Sequence, residues 1–244
     1  MSSFRFNMSS APQGLYEVST QQLAPFGSTL HIGDGREFVY GSAGAVALAV
    51  GRVVQGRLAI AGHGVSAYLA LNEPLLGTRV VEVTTITTAV LENDYAEGFL
   101  VIGDAPSGGT CYKIAGHPAA GIGAVNITLV DPLWETLVTG ATGGLVAALS
   151  KGCIISGIAS TTGAAVGVPV RDIPIDNFGW FQTRGVAGVL QDGAWVEGSP
   201  LGISDGTAGA LAAITGSAVD EPIIGIGVLD NATTAIGTCK LMGL

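Results

Sequence analysis

In VTGATGGLV, Val138 to Val146, three glycines and two threonines fall at the spacing of a dinucleotide-binding turn. Glycines in such a turn let backbone N–H groups approach a pyrophosphate, and a following helix N-terminus stabilises its charge. The turn must end a strand, open a helix and precede an acidic residue by about 20 positions. Here only Leu145–Ser150 could start a helix before Lys151-Gly152, and the run beyond is CIISGIASTTG. No Tyr-x-x-x-Lys pair occurs in the chain. In a sequence with 38 glycines, a match this short arises by chance. The motif reads as a structural turn, and no nucleotide cofactor is expected.

The remaining chemistry-bearing residues are dispersed. His31, His63 and His117 stand at no metal-ligand spacing with one another, with cysteine or with a carboxylate pair. His31 has Asp34 nearby, His63 lies between glycines and His117 precedes Pro118, so all three read as exposed turn histidines. A Ser-His-Asp triad needs no closeness along the chain, but no Gly-x-Ser-x-Gly elbow supports one. Asp172/Asp176 and Asp220-Glu221 sit among prolines and turn residues and read as solvated loop charges. Cys111, Cys153 and Cys239 are far apart and form no CxxC, so they read as small buried hydrophobes. The sequons at Asn7, Asn126 and Asn231 carry little weight, because no basic segment with an apolar core opens the chain as a secretory signal would. No catalytic residue, metal ligand or cofactor is expected, and the chain reads as a non-enzyme.

The elements that would position any site follow from composition. The 244 residues suffice for one large domain or two smaller ones. Hydrophobic residues make up 48% and charged residues only 12%, whereas soluble domains carry roughly a quarter. Mean hydropathy is +0.53. Apolar runs such as Ala43–Val50 and Gly143–Leu149 fall well short of the roughly 20 residues a membrane helix needs. A membrane β-barrel would need aromatic girdles, and aromatics are only 6% with no girdle pattern. A net charge of −9 without a basic stripe argues against nucleic acid. High apolar content with few charges instead suits a chain that covers its surface with protein partners.

Glycines repeatedly interrupt short Val/Ile/Thr/Ala runs, the pattern of many short strands joined by turns. Val125–Val130 alternates apolar and polar, and Thr78–Leu91 is dense in β-branched residues. Phe99–Ile102 and Thr110–Ile114 read as a strand pair joined by a loop over 103–109. The chain is expected to be all-β, with short-stranded sandwich or barrel regions. Residues 1–30, with scattered aromatics and no period, read as an extended arm. A Gly/Ala/Ser/Thr run near Ser156–Gly167 suggests a boundary between a larger β domain (31–160) and a smaller barrel-like one (161–244).

GWFQTRGVAGVLQDG, from Gly179, is the most distinctive stretch. As a strand it places Phe181, Thr183, Ala187 and Val189 on one face, and Trp180, Gln182, Arg184 and Val186 on the other. The first face suits a core. The second is read as a partner contact, because Trp and Arg are enriched where proteins grip one another.

Ile173–Leu211 resembles the C-terminal part of head decoration (cement) proteins of tailed double-stranded DNA phages. The resemblance lies in Phe178-Gly179-Trp180, Gln182, Gly185, Asp192-Gly193, Val196-x-Gly198-x-Pro200-Leu201 and Gly206-x-Ala208-Gly209. Gly33–Gln55 is similar to the N-terminal signature of these proteins, and Asn93–Ala120 resembles their middle region. The resemblance implies a structural virion protein on the outer surface of an icosahedral capsid. It would self-associate, as a homotrimer, and bind across subunits of the major capsid protein. A head-fibre base or host glycan-binding protein is the alternative. Candidate contacts are Phe4, Phe6, Tyr16 and Phe26 in the arm, Phe38 and Tyr40 after it, and Trp180, Gln182 and Arg184.

Overall fold

A computed structural model describes residues 11–63, 69–70, 75–103, 108–137, 141–157, 163–214 and 222–244. The described residues form strands and turns without a helix, and the fold is all-β. The chain divides into two compact units: a discontinuous unit, Met1–Arg57 with Leu149–Leu244, and an inserted unit, Leu58–Ala148. The unit boundaries fall at 57/58 and 148/149, where the chain leaves one sheet and rejoins it, and not near residue 160.

The discontinuous unit contains β1 (Thr29–His31), β2 (Glu37–Ser42), β3 (Val54–Gln55), β10 (Ile154–Ile155), β11 (Ala165–Pro169) and β12 (Phe178–Leu190). It continues with β13 (Pro200–Ile203), β14 (Leu211–Ala213), β15 (Gly225–Leu229) and β16 (Ile236–Met242). All its strand pairs are antiparallel, in the order β10-β3-β11-β12-β16-β15-β13-β14, with β2 bridging β1 and β12. The 13-residue β12 is the spine: its first half pairs with β2 and its second half with β16. The sheet curls until its two ends meet. Val53 N–H donates to Gly209 O (2.8 Å), and Gly209 N–H donates to Ser156 O (3.0 Å). Gly209 has φ 73°. A Cβ there would lie 2.7 Å from Ile155 Cγ2 and 2.8 Å from Arg52 Cβ, so this seam requires glycine.

Alternation within strands fills the space the curl encloses. On β16, Gly237, Cys239 and Leu241 point inward while Ile236, Lys240 and Met242 face out. Val168, Ala187, Val189, Trp195, Leu201, Leu211 and Leu241 form the resulting core. A second cluster gathers Leu48, Val54, Val166 and Ile173 around Phe181. Gly41 of β2 packs against that ring. A Cβ at 41 would run into Phe181 and the Ser150 carbonyl. Gly41→Ala is expected to destabilise this unit by about 1–3 kcal/mol, the cost of overpacking, read as a lowered urea midpoint.

The inserted unit has β4 (Leu69–Ala70), β5 (Val80–Ile86), β6 (Phe99–Ile102), β7 (Cys111–Gly116), β8 (Gly123–Leu129) and β9 (Thr142–Val146), in the sheet order β4-β9-β6-β7-β8-β5. β6 and β7 pair as Phe99↔Lys113, Leu100↔Tyr112 and Val101↔Cys111. Val125, Ile127 and Leu129 of β8 enter a core with Val81, Val83, Leu100 and Ile114. The Gly-rich match of residues 138–146 is no helix-opening turn: residues 142–146 are β9, and no helix follows.

His63 and His117, expected on exposed turns, are buried in this unit. Tyr95 accounts for both. Its backbone N–H donates to His117 Nε2 (2.9 Å), and its hydroxyl lies 2.8 Å from His63 Nδ1. The opposite ring nitrogens meet carbonyls, His117 Nδ1 at Pro118 O (2.9 Å) and His63 Nε2 at Thr88 O (2.6 Å). Each imidazole thus has a donor facing one nitrogen and an acceptor facing the other, so it can sit in the core satisfied. His31 is exposed, 3.6 Å from Glu37.

Candidate interaction surface

The even-numbered face of β12 carries Trp180, Gln182, Arg184, Val186 and Gly188, and it is divided in two. Its first half is covered by the chain's own residues 11–30. Gln13 is the clip. Its Nε2 donates to Glu17 O (2.7 Å) and Phe178 O (3.2 Å), and its Oε1 accepts from the Tyr40 hydroxyl (2.8 Å). Its carbonyl accepts from Trp180 Nε1 (3.2 Å). Tyr40 also accepts from Leu23 N–H (3.0 Å), and Ser19 bridges to Phe178. Leu15, Ala24 and Leu30 pack with Tyr40 and Trp180, whose rings meet edge to face at 5.2 Å. Burial holds the Tyr40 phenol above its ordinary pKa.

The second half is open. Arg184 and Val186 point outward, beside Met242, Lys240 and Ile236 of β16, with which this stretch is in register. Val186 is 56% exposed, and Ile236 and Met242 are each 50% exposed. Between this face and Tyr16, Arg36 and Val50 runs a groove of about 290 Å³. Its ionic rim is partly paired: Arg184 Nη1 lies 3.3 Å from Glu37 Oε1, and Arg36 Nε 2.8 Å from Asp34 Oδ2. The backbone N–H and guanidinium of Arg36 hold the Asp34 carboxyl below its ordinary pKa. Another cavity, of about 370 Å³, opens beside β1 among Leu23, Ala24, Leu30, His31 and Trp180.

These positions correct the expected contacts. Phe26, Phe38, Tyr40 and Trp180 are buried in their own fold, because the arm folds back on β2 and β12, and Gln182 is buried at the floor of the groove. Gln182 spends its amide on Arg184 O (3.0 Å) and Val186 O (2.8 Å), across a bulge where β12 slips one residue against β2. Tyr16 and Arg184 are exposed as a contact requires. Phe4 and Phe6 lie outside the described residues. Ile236 and Met242 were missed, although the strict alternation of β16 marks them as outward-facing.

The inserted unit carries a second apolar surface. Leu75 and Leu76 are each 63% exposed and Trp134 is 60% exposed. Two loops hold them in place: Gly77 N–H donates to Leu133 O (2.8 Å), Leu133 N–H to Thr78 O (2.9 Å) and Leu76 N–H to Thr136 Oγ1 (3.0 Å).

Among the described residues, no group of three or more His, Cys, Asp or Glu could hold a metal ion. Cys153 and Cys239 are buried, and desolvation pushes each thiol up to about 12. Cys111 is exposed, which corrects the expectation that all three are buried: its β7 position faces out. At mildly alkaline pH, Ellman's reagent is expected to titrate one thiol per native chain and all three after denaturation. Rapid reaction of two or more native thiols would contradict this burial. No family model, curated protein or solved structure matches the chain.

Proposed function

We propose that this chain is a structural virion protein that decorates and stabilises the outer surface of an icosahedral phage capsid, self-associating and binding across subunits of the major capsid protein. The observation that carries the reading is the open half of β12 with β16. There Val186, Ile236 and Met242 stand half-exposed on the outer face of an ordered sheet, with Arg184 and Lys240 set among them. Large apolar side chains held half-exposed beside cations on one ordered face are the kind of surface through which proteins grip one another. The low charge content of the whole chain supports the same conclusion, since permanent interfaces resemble a core cut in half. The resemblance of Ile173–Leu211 to head decoration proteins supplies the kind of partner. The mechanism is linkage: a protein that binds only the assembled shell stabilises it by mass action.

Two measurements test the reading. The mass of the purified protein in solution is expected to exceed that of one 24.4 kDa chain. Co-sedimentation with undecorated capsids is expected to be saturable and to raise the temperature at which the shells open. A protein that neither pellets with capsids nor changes their opening temperature would sink the proposal.

A further inference from the structure

We infer that the chain assembles head to tail, with the Trp134 knob of one copy seated in the groove beside β12 of a second copy. This rests on the reading above only in taking the protein as self-associating. It adds which surfaces meet and in what sense.

The knob has the build of a binding hot spot. Leu75, Leu76 and Trp134 hold a large apolar area out to solvent, and backbone hydrogen bonds between their loops keep it there. A pre-ordered aromatic anchor loses little conformational entropy on docking, which is why tryptophan dominates interface energetics. The groove matches it in kind. It is walled by Val50, Val186 and Ile236, and its volume of about 290 Å³ admits an indole ring.

Charge selects the pairing. Asp131 and Glu135 flank Trp134, and the inserted unit has eight Asp/Glu against only Arg79 and Lys113. Arg36 lines the groove, Lys240 lies directly across the strand pair from its Val186 wall and Arg184 two residues before Val186, while Asp172 accepts from Val50 N–H (2.8 Å) at the opposite wall. Arg36 and Arg184 already touch Asp34 and Glu37, but a guanidinium has five N–H donors and keeps some for a further carboxylate. Lys240 pairs with no carboxylate among the described residues. Knob against knob would bring acids together, whereas at the groove the guanidiniums are interleaved with Asp34, Glu37 and Asp172 and Lys240 is the cation left over. Knob into groove brings the acids beside Trp134 to Lys240 and to the spare guanidinium donors, over an apolar centre. Such a contact uses two different patches, so it is heterologous, and repetition closes a ring when the rotation allows.

The test uses the full chain, without capsids. Trp134→Ser and Leu76→Asp each remove the knob, and Val186→Glu spoils the groove. All three sites are exposed, so each variant is expected to keep the wild-type melting temperature. Each alone is expected to run as a monomer in sedimentation velocity, at concentrations where the wild type is assembled. Association is expected to weaken at least tenfold. A mixture of Trp134→Ser with Val186→Glu is expected to form one-to-one pairs, because one variant keeps a groove and the other keeps a knob. Raising the salt is expected to weaken wild-type assembly. A monomeric wild type, folded knob variants that assemble normally, or a mixture that fails to pair would each overturn the inference. An assembled protein that does not bind capsids would instead refute the proposed function and leave this contact standing.

Discussion

Phe181→Ala is expected to destabilise the discontinuous unit by about 3–5 kcal/mol, the usual cost of emptying an aromatic site in a core. The ring is fully buried. Val54, Val166 and Ile173 pack against it, and Gly41 and Gly167 lie so close that neither could carry a methyl group without displacing something. A cavity there could not collapse easily, because two of its walls are backbone. With a domain stability of about 5–15 kcal/mol, the loss would move a urea midpoint far down. Trp180 and Trp195 are buried in this unit, so their fluorescence follows its unfolding. Arg184→Ala, three residues along the same strand, is the control. Among the described residues its guanidinium meets only Glu37, at a solvent-facing contact, and its effect is expected to stay within about 0.5 kcal/mol. A loss below about 1 kcal/mol for Phe181→Ala would mean that this face of β12 is not a core.

That contrast separates what was legible in the sequence from what was not. Local alternation exposes a strand, and β8, β5 and the β6–β7 pair follow directly from the Val125–Val130, Thr78–Leu91 and Phe99–Ile114 patterns. The inward face of β12 was legible for the same reason. Its other face was not, because what covers Trp180 is Gln13 and its neighbours, 167 residues earlier in the chain. Period-two patterning says which side chains share a face and is silent on what lies over it. A strand buried on both faces at one end and on one face at the other looks uniform in sequence. The histidines were misread likewise. Glycines around His63 and a proline after His117 signal turns, yet the residue that draws both rings inward is Tyr95, 32 and 22 positions away. The unit boundaries left no compositional mark, because the chain exits after β3 and re-enters before β10 with β-type sequence on both sides of each junction.

The arm provides the sharper experiment. Deleting residues 1–26 would remove Gln13, Leu15, Ala24 and Phe26, all buried. Full burial of a large apolar side chain contributes about 1.5–3 kcal/mol, so Leu15 and Phe26 together account for roughly 3–6 kcal/mol. The Tyr40 hydroxyl and Trp180 Nε1 would also lose their Gln13 partners. The truncated chain is expected to be largely unfolded or close to it, seen as a collapsed urea midpoint and a red shift of tryptophan emission. Loss of capsid binding by that variant would therefore report unfolding and not a missing clamp. Deleting residues 1–10 separates the two roles, because Gln13, Leu15, Ala24 and Phe26 all remain. A wild-type midpoint for this shorter deletion is the condition for reading its capsid binding as binding. If it also stops pelleting with capsids, Phe4 and Phe6 belong to the grip; if it pellets normally, the grip lies on the sheet. A chain lacking residues 1–26 that melts like the wild type would show that the arm is not part of the core and that Gln13 and its neighbours do not cover Trp180.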